Sequence, residues 1–153
     1  MQTITPFLWF ETEAQQAAEL YVSLFENSRI TSISENADGS AFVVSFVLDG
    51  LEFQAMNSPR NNPFSDATSL FVHADTQERI DDLWDALTAN GGAPVACGWL
   101  TDQFGVSWQI VPARLMELLG DPDPGRAGRA MQAMLGMQKI VIADLEAAAD
   151  TPE

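Results

Sequence analysis

Aromatic side chains and carboxamides on the predicted strands are the residues of this sequence that could recognise a small molecule. Amide groups on otherwise apolar strands can orient a ligand by hydrogen bonds, and aromatic rings beside them can bury its apolar part. Seven residues of these two types are the candidate ligand contacts: Trp9, Gln54, Asn57, Phe71, Trp99, Trp108 and Gln109. The alternative is that the aromatic rings form the core and that the glutamines face solvent.

Nucleophilic catalysis has few candidate residues in this chain. His73 is the only histidine and Lys139 is the only lysine. A Ser-His-Asp or Cys-His arrangement would have to use His73, but a lone histidine near the end of a strand is more often structural or solvated. Cys97, the only cysteine, lies in an apolar stretch without a basic neighbour, and we expect it to be a small buried hydrophobic residue. No catalytic residue is identified.

Cofactor and metal motifs are also missing from the sequence. It contains no Gly-x-Gly-x-x-Gly loop and no Gly-x-x-x-x-Gly-Lys-Ser/Thr loop, so neither a Rossmann-type nor a P-loop site is supported. A metal site needs converging side chains, and Glu35, Asp49 and Glu52 are nearly all the carboxylates on predicted strands. The acidic residues between 81 and 85 are typical of a solvated helix face. We therefore expect no cofactor and no metal.

The elements that would position the candidate contacts repeat once along the chain. Apolar runs joined by Asp-Gly turns predict a strand, a helix and three strands between residues 3 and 57. A second unit of the same kind spans residues 68–111. Its helix is predicted to begin at Asp75, with Glu78 completing a capping box, and its later strands to span 94–100 and 106–111.

The repeat predicts an α+β fold of paired βαβββ half-barrels. Such units bury their open edges against each other, and two of them would enclose a cleft. Residues 113–148 are predicted to form a helical extension, with helices over 113–119, 126–137 and 141–148. The extension is too short for its own core, so we expect one domain over residues 1–153.

Composition limits the class of partner. The 153 residues carry 22 Asp and Glu against 7 Lys and Arg, a net charge of −15. This charge disfavours nucleic acid and anionic lipid, and it favours neutral or cationic ligands. A single cysteine, no basic signal-peptide start and no apolar run near about 20 residues together predict a cytoplasmic protein without a membrane span.

Four stretches of the sequence resemble the PhnB-like proteins, which are also described as 3-demethylubiquinone-9 3-methyltransferases. They are residues 4–10 (ITPFLWF), 21–30, 97–112 (from CGWL to WQIVP) and 131–135 (MQAML). The likeness runs from about residue 3 to 148. These proteins belong to the vicinal oxygen chelate superfamily, which includes glyoxalases, bleomycin-resistance proteins and dioxygenases. The resemblance implies paired βαβββ modules, in agreement with the repeat, and a homodimer.

Enzymes of this superfamily hold a divalent metal with four side chains, usually His or Glu, two from each module. The corresponding positions fall near Phe7, Gln54, Ser69 and Gln109, and none of them is His or Glu. The resemblance thus implies a protein that binds a small, partly apolar molecule in the cleft without a metal. One alternative is a glyoxalase-like or dioxygenase-like enzyme in which the two glutamines hold a metal weakly. Another is an interaction module that uses the Met-rich C-terminal helix.

Overall fold

The computed structural model describes residues 2–59 and 62–152, which form two compact units, one ending at Pro63 and the other beginning at Phe64. Each unit contains a four-stranded mixed sheet. The predicted α+β fold of two βαβββ modules and a C-terminal helical extension is confirmed. That both modules belong to a single domain stays a prediction. Within the described ranges, no helix is long and apolar enough to cross a membrane.

The first unit follows the predicted order of one helix and four strands. Its elements are β1 (Phe7–Phe10), α1 (Ala14–Leu24), β2 (Arg29–Glu35), β3 (Ala41–Leu48) and β4 (Leu51–Asn57). The strands lie in the order β1-β4-β3-β2, with β1 parallel to β4 and the other pairs antiparallel. The alternation of apolar side chains places Phe46 and Phe53 on one face, where their rings stack at a centroid distance of 5.4 Å. Helix α1 packs against β3 and β4.

The second unit repeats this order with shorter strands and adds three helices. Its elements are β5 (Ser69–His73), α2 (Gln77–Thr88), β6 (Ala93–Pro94), β7 (Trp99–Thr101), β8 (Ser107–Val111), α3 (Ala113–Leu119), α4 (Pro124–Leu135) and α5 (Ile142–Asp150). The strand order is β5-β8-β7-β6, with β5 parallel to β8. The strand order and the parallel pair therefore match those of the first unit, while the hairpin is shorter.

The predicted strand over 94–100 is wrong, because a turn divides it into β6 and β7. The Val95 N–H donates to the Trp99 carbonyl oxygen at 2.8 Å, which closes a loop over residues 95–99. Inside this loop Cys97 has φ of 60° and Gly98 has φ of 85°. A left-handed pair of residues reverses the chain and cannot continue a strand.

Two predicted helix starts also differ from those observed. Thr76, not Asp75, caps α2, since its Oγ1 accepts a hydrogen bond from the Arg79 N–H at 3.1 Å. The Asp75 carboxylate instead accepts from the Ala113 N–H at 2.9 Å and so holds the start of α3. Helix α4 begins at Pro124, two residues before the predicted start at 126, because Asp123 caps it and proline suits the first helical turn.

The C-terminal helices share a core of their own within the second unit. Its buried members are Val111, Leu115, Leu118, Ala130, Ile140, Leu145 and Ala149. Polar contacts join this extension to α2: the Gln77 amide donates to the Ile140 carbonyl oxygen and accepts from the Ile142 N–H, and Lys139 pairs with Asp81 at 2.9 Å. The extension is therefore an integral part of the second unit.

Candidate functional site

One face of the second sheet carries polar and aromatic side chains in two rows. Helix α2 packs against β7 and β8. One face of these strands is buried to 1% exposure or less and consists of Leu100, Trp108 and Ile110. The residues between them along the strands point to the opposite face. That opposite face, which we call the open face, consists of Ser69, Phe71, Trp99, Thr101, Ser107 and Gln109.

Strand register brings three of the predicted contacts together on this open face. Phe71 pairs with Gln109, and Gln109 pairs with Trp99, so the three residues form one row across the sheet. The neighbouring row consists of three hydroxyl residues, Ser69, Ser107 and Thr101. The Gln109 amide Nε2 donates to the Ser69 Oγ at 2.9 Å, which fixes the amide between the two rows.

Trp108, a fourth predicted contact, lies on the other face of the sheet. Its side chain is 1% exposed, and its indole N–H donates to the Asp102 Oδ2 at 2.9 Å. Trp108 therefore does not share the open face with Gln109, because adjacent residues of a strand point to opposite faces. The prediction that both side chains contact one ligand on that face is wrong for Trp108. Trp108 is part of the core, as the alternative interpretation of the aromatic residues holds.

Asp102 has a structural role that was not among the predictions from the sequence. One carboxylate oxygen accepts from the N–H groups of Phe104 and Val106 at 2.9 and 3.0 Å, and the other accepts from Trp108. The carboxylate thus holds the turn between β7 and β8 and the buried indole at once. An aspartate followed three residues later by glycine is the available signal, since aspartate side chains commonly stabilise such turns.

A cavity of about 420 Å³ lies beside the open face of the second unit. It is lined by residues 64–66, 95–97, 99–101, 105 and 107. Pockets of roughly 300–1,000 Å³ are typical of small-molecule sites. The cavity is therefore large enough for a compact organic molecule, and it shares Trp99, Thr101 and Ser107 with the open face.

The cavity contains polar groups that the protein does not satisfy. Ser107 is 4% exposed, and its hydroxyl has no hydrogen-bond partner among the residues described here. The indole N–H of Trp99 also lacks one in the same residues. A buried hydroxyl without a partner costs free energy, which a bound molecule or water can recover.

The turn that contains Cys97 forms another side of the cavity. Cys97 is half-buried and lines the cavity, so the expectation of a small buried hydrophobic residue is wrong. The N–H groups of Cys97 and Gly98 donate to the carbonyl oxygens of Met137 and Gln138, both at 2.8 Å. The C-terminal extension therefore holds this side of the cavity through its backbone.

In the first unit, Trp9 and Gln54 lie on the face opposite to α1, and Asn57 does not. The Trp9 indole N–H donates to the Ser58 carbonyl oxygen at 2.9 Å, and the Gln54 amide lies 3.4 Å from the Ser45 hydroxyl. The Asn57 Oδ1 accepts from the Ala14 N–H at 2.8 Å, at the start of α1. Asn57 acts as a helix cap supplied by a neighbouring strand, which a sequence pattern does not reveal.

The residues at the implied metal positions do not fit a divalent ion. Phe7 pairs with Gln54 in the first sheet, and Gln109 contacts Ser69 in the second. Their donors are neutral amides and a hydroxyl, whereas a divalent transition metal is normally held by imidazole, carboxylate or thiolate groups. In the described part of the chain, no three His, Cys, Asp or Glu residues converge into a metal-binding group.

The two βαβββ units define the class of the protein as the glyoxalase/bleomycin-resistance fold. A sequence profile described as 3-demethylubiquinone-9 3-methyltransferase matches residues 2–111, and the chain belongs to this PhnB-like family. A search of curated proteins finds no match. The profile ends at residue 111, so the likeness expected over 112–148 lies outside the matched range.

Solved structures support the same assignment. A PhnB protein from Bacillus cereus is 36% identical, with a TM-score of 0.69, and the match covers 72% of this chain and 99% of that one. Protein PA1353 from Pseudomonas aeruginosa (16% identity, TM-score 0.61, 73% and 98% covered) shows the same fold. So does the fosfomycin resistance protein FosX from Listeria monocytogenes, solved with Mn(II) and 1S,2S-dihydroxypropylphosphonic acid (12% identity, TM-score 0.53, 72% and 92% covered).

Proposed function

We propose that this PhnB-like protein binds a small, partly apolar organic molecule in the cavity of its second unit, without a metal. The observation that carries the proposal is the cavity of about 420 Å³, which meets the row of Phe71, Gln109 and Trp99 at Trp99. Phe71 is 44% exposed, so its ring on the open face is accessible to a ligand.

The remaining predicted features stand as part of this proposal. Trp9 and Gln54 remain candidate contacts from the first unit, and the homodimer and the cytoplasmic location remain predictions. The methyltransferase description is an inherited name under this proposal, because the sequence has no Gly-x-Gly-x-x-Gly loop for S-adenosylmethionine. We expect S-adenosylmethionine to leave the amide spectrum of the protein unchanged.

The test is a fragment screen read by two-dimensional ¹H–¹⁵N NMR of the intact chain. We expect some compact aromatic fragments to shift the amides of residues 64–66, 95–101 and 105–107. The indole N–H of Trp99 should shift with them, while that of Trp108 stays in place because the Asp102 carboxylate already binds it in the core. A screen without hits in these segments would overturn the proposal.

Two exposed phenylalanines provide a matched pair of variants. Phe71 on the open face and Phe42 on β3 of the first unit are 44% and 42% exposed. We expect Phe71→Ala to weaken fragment binding several-fold and Phe42→Ala to leave it unchanged. Equal effects of the two variants would indicate that the exposed ring of the open face has no part in the site.

A metal titration tests the other part of the proposal. Mn(II) broadens the NMR signals of nearby amides, so a weak site at the glutamines would be detected directly. We expect no selective broadening around Gln54 or Gln109 at millimolar Mn(II). Selective loss of these signals would instead support the metal-dependent enzyme.

A further inference from the structure

We propose that the cavity of the second unit selects small organic cations, in particular a primary ammonium group joined to a planar apolar group. The inference rests on the proposed function, because it specifies the ligand class for the same cavity. Three described side chains carry it: a buried hydroxyl, a carboxylate and an indole, those of Ser107, Asp66 and Trp99.

The hydroxyl of Ser107 is the hydrogen-bonding anchor. Strand alternation places this side chain on the same face as Thr101 and Trp99, all of which line the cavity. Its 4% exposure removes it from bulk water, and none of the described protein groups bonds to it. A hydroxyl oxygen accepts a hydrogen bond from an ammonium group, and such charge-assisted bonds are stronger than neutral ones.

The charge of the cavity favours a cation. Among the described lining residues, Asp66 is the one carboxylate, and none of them is Lys, Arg or His. Asp66 is exposed at the surface of the cavity, and its carboxylate bonds to no other described group. The Lys139 and Arg114 cations of this unit are instead paired with carboxylates of the helices. An anionic ligand would meet repulsion here, and a cation would find a counter-charge.

Trp99 supplies the surface for the planar part of the ligand. Its ring is half-buried on the open face, in the row that also contains Phe71. An indole face attracts a cation held within about 6 Å and also packs against a flat apolar group. The indole N–H of Trp99 bonds to none of the described protein groups, so it favours ligands that also carry a hydrogen-bond acceptor at the edge of the ring.

The experiment compares three probes of one shape and different charge: benzylamine, benzyl alcohol and benzoate. Dissociation constants are measured on the full chain from amide shifts of the cavity segments at low salt. We expect benzylamine to bind about tenfold more tightly than benzoate, with benzyl alcohol between them. Ser107→Ala should weaken benzylamine about tenfold without lowering the melting temperature, because the lost hydroxyl bonds to none of the described protein groups.

Asp66→Asn tests the counter-charge against a control of equal net charge. We expect it to weaken benzylamine about threefold and to leave benzyl alcohol unchanged. Asp85→Asn, which removes an exposed carboxylate from α2, should change neither. Equal binding of all three probes with an inert Asp66→Asn would overturn the cation preference and leave the proposed function in place. Fragments that bind this cavity while benzylamine does not would overturn the inference in the same way.

Discussion

The two units of this protein use one strand order to build different surfaces. In the first unit β2, β3 and β4 have seven, eight and seven residues and pair antiparallel along their length, with two register shifts between β2 and β3. In the second unit the corresponding β6 and β7 have two and three residues, and the turn at residues 95–98 lies between them. Shortening the hairpin leaves room for the cavity, which that turn and residues 64–66 line.

The difference also explains why the second unit depends on its C-terminal extension. A long hairpin satisfies its backbone groups within the sheet, whereas the 95–98 turn has N–H groups that need partners elsewhere. Met137 and Gln138 provide the carbonyl oxygens. The cavity is therefore bordered by a turn whose aspartate, Asp102, is buried and also bonds a core indole, and by a turn that the extension holds.

The largest expected effect comes from removing the Asp102 carboxylate. Asp102→Ala leaves two backbone N–H groups and the Trp108 indole without their acceptor, so we expect about 3 kcal/mol of destabilisation. Asp38 in the first unit stabilises a similar but exposed turn through Ser40. Asp38→Ala should cause a far smaller loss. Urea denaturation of both variants checks the difference, and equal losses would contradict the structural role of Asp102.

A pair of glycine substitutions tests the contact between the cavity turn and the extension. Both Gly98 and Gly39 have positive φ, of 85° and 84°. An added Cβ at Gly98 would lie 3.0 Å from the Ile110 carbonyl oxygen and 3.1 Å from Ile140 Cγ1, whereas one at Gly39 would meet nothing within 4 Å. We expect Gly39→Ala to cost about 1 kcal/mol and Gly98→Ala about 2 or more. Thermal unfolding with equal losses would argue against the close contact.

The cap of α1 by Asn57 is half-buried and the cap of α2 by Thr76 is exposed, so we expect the loss of the Asn57 cap to cost more stability. Asn57→Ala removes a hydrogen bond to the start of α1 and another to the Ala41 carbonyl oxygen, for an expected loss of about 1.5 kcal/mol. Thr76→Ala removes one exposed cap bond of α2, for about 1 kcal/mol. Hydrogen exchange in each helix separates the two effects. A larger loss for Thr76→Ala would mean that Asn57 does not act as a cap.

The smallest expected effect is a loosening of the extension in acid. The pKa of Asp81 lies below its ordinary value of 3.8 because the Gln77 amide and then Lys139 donate to its carboxylate. The pKa of Asp121 is lowered by the Asp123 backbone N–H and then by Arg126. A lowered carboxyl pKa contributes stability above the unfolded pKa, and this is lost as pH falls through the folded pKa.

Hydrogen-exchange protection should therefore fall in the extension below about pH 4. Both groups are partly exposed to solvent, which screens these interactions, so the change is modest. Asp38 in the first unit also has a lowered pKa, caused by Ser40, but it joins only residues of its own turn. Protection of β2 and β3 should change less than that of α4 and α5. A larger loss in the first unit would contradict this assignment.

Much of the fold was predictable because it follows local patterns. Apolar alternation and the Asp-Gly turns locate the three strands that follow α1, and helical spacing locates α3 over Ala113–Leu119. The break in the strand over 94–100 was not predictable, because it depends on partners at Met137 and Gln138, about 40 residues away.

The candidate site was predictable in part. Residue type alone groups Phe71, Trp99 and Gln109, and the register confirms that they share a face. Trp108 and Asn57 have the same residue types, but their partners Asp102 and Ala14 give them structural positions. That Ser107 is a candidate ligand contact could not be predicted from the sequence, since a serine hydroxyl indicates a binding site only when it is buried without a described partner.

A crystal structure of the protein with its tightest-binding fragment tests the central claim most directly. We expect density for the fragment inside the cavity, against the ring of Trp99 and within hydrogen-bond distance of the Ser107 hydroxyl. Fragment density at another place on the chain, with only water beside Ser107 and Trp99, would contradict it.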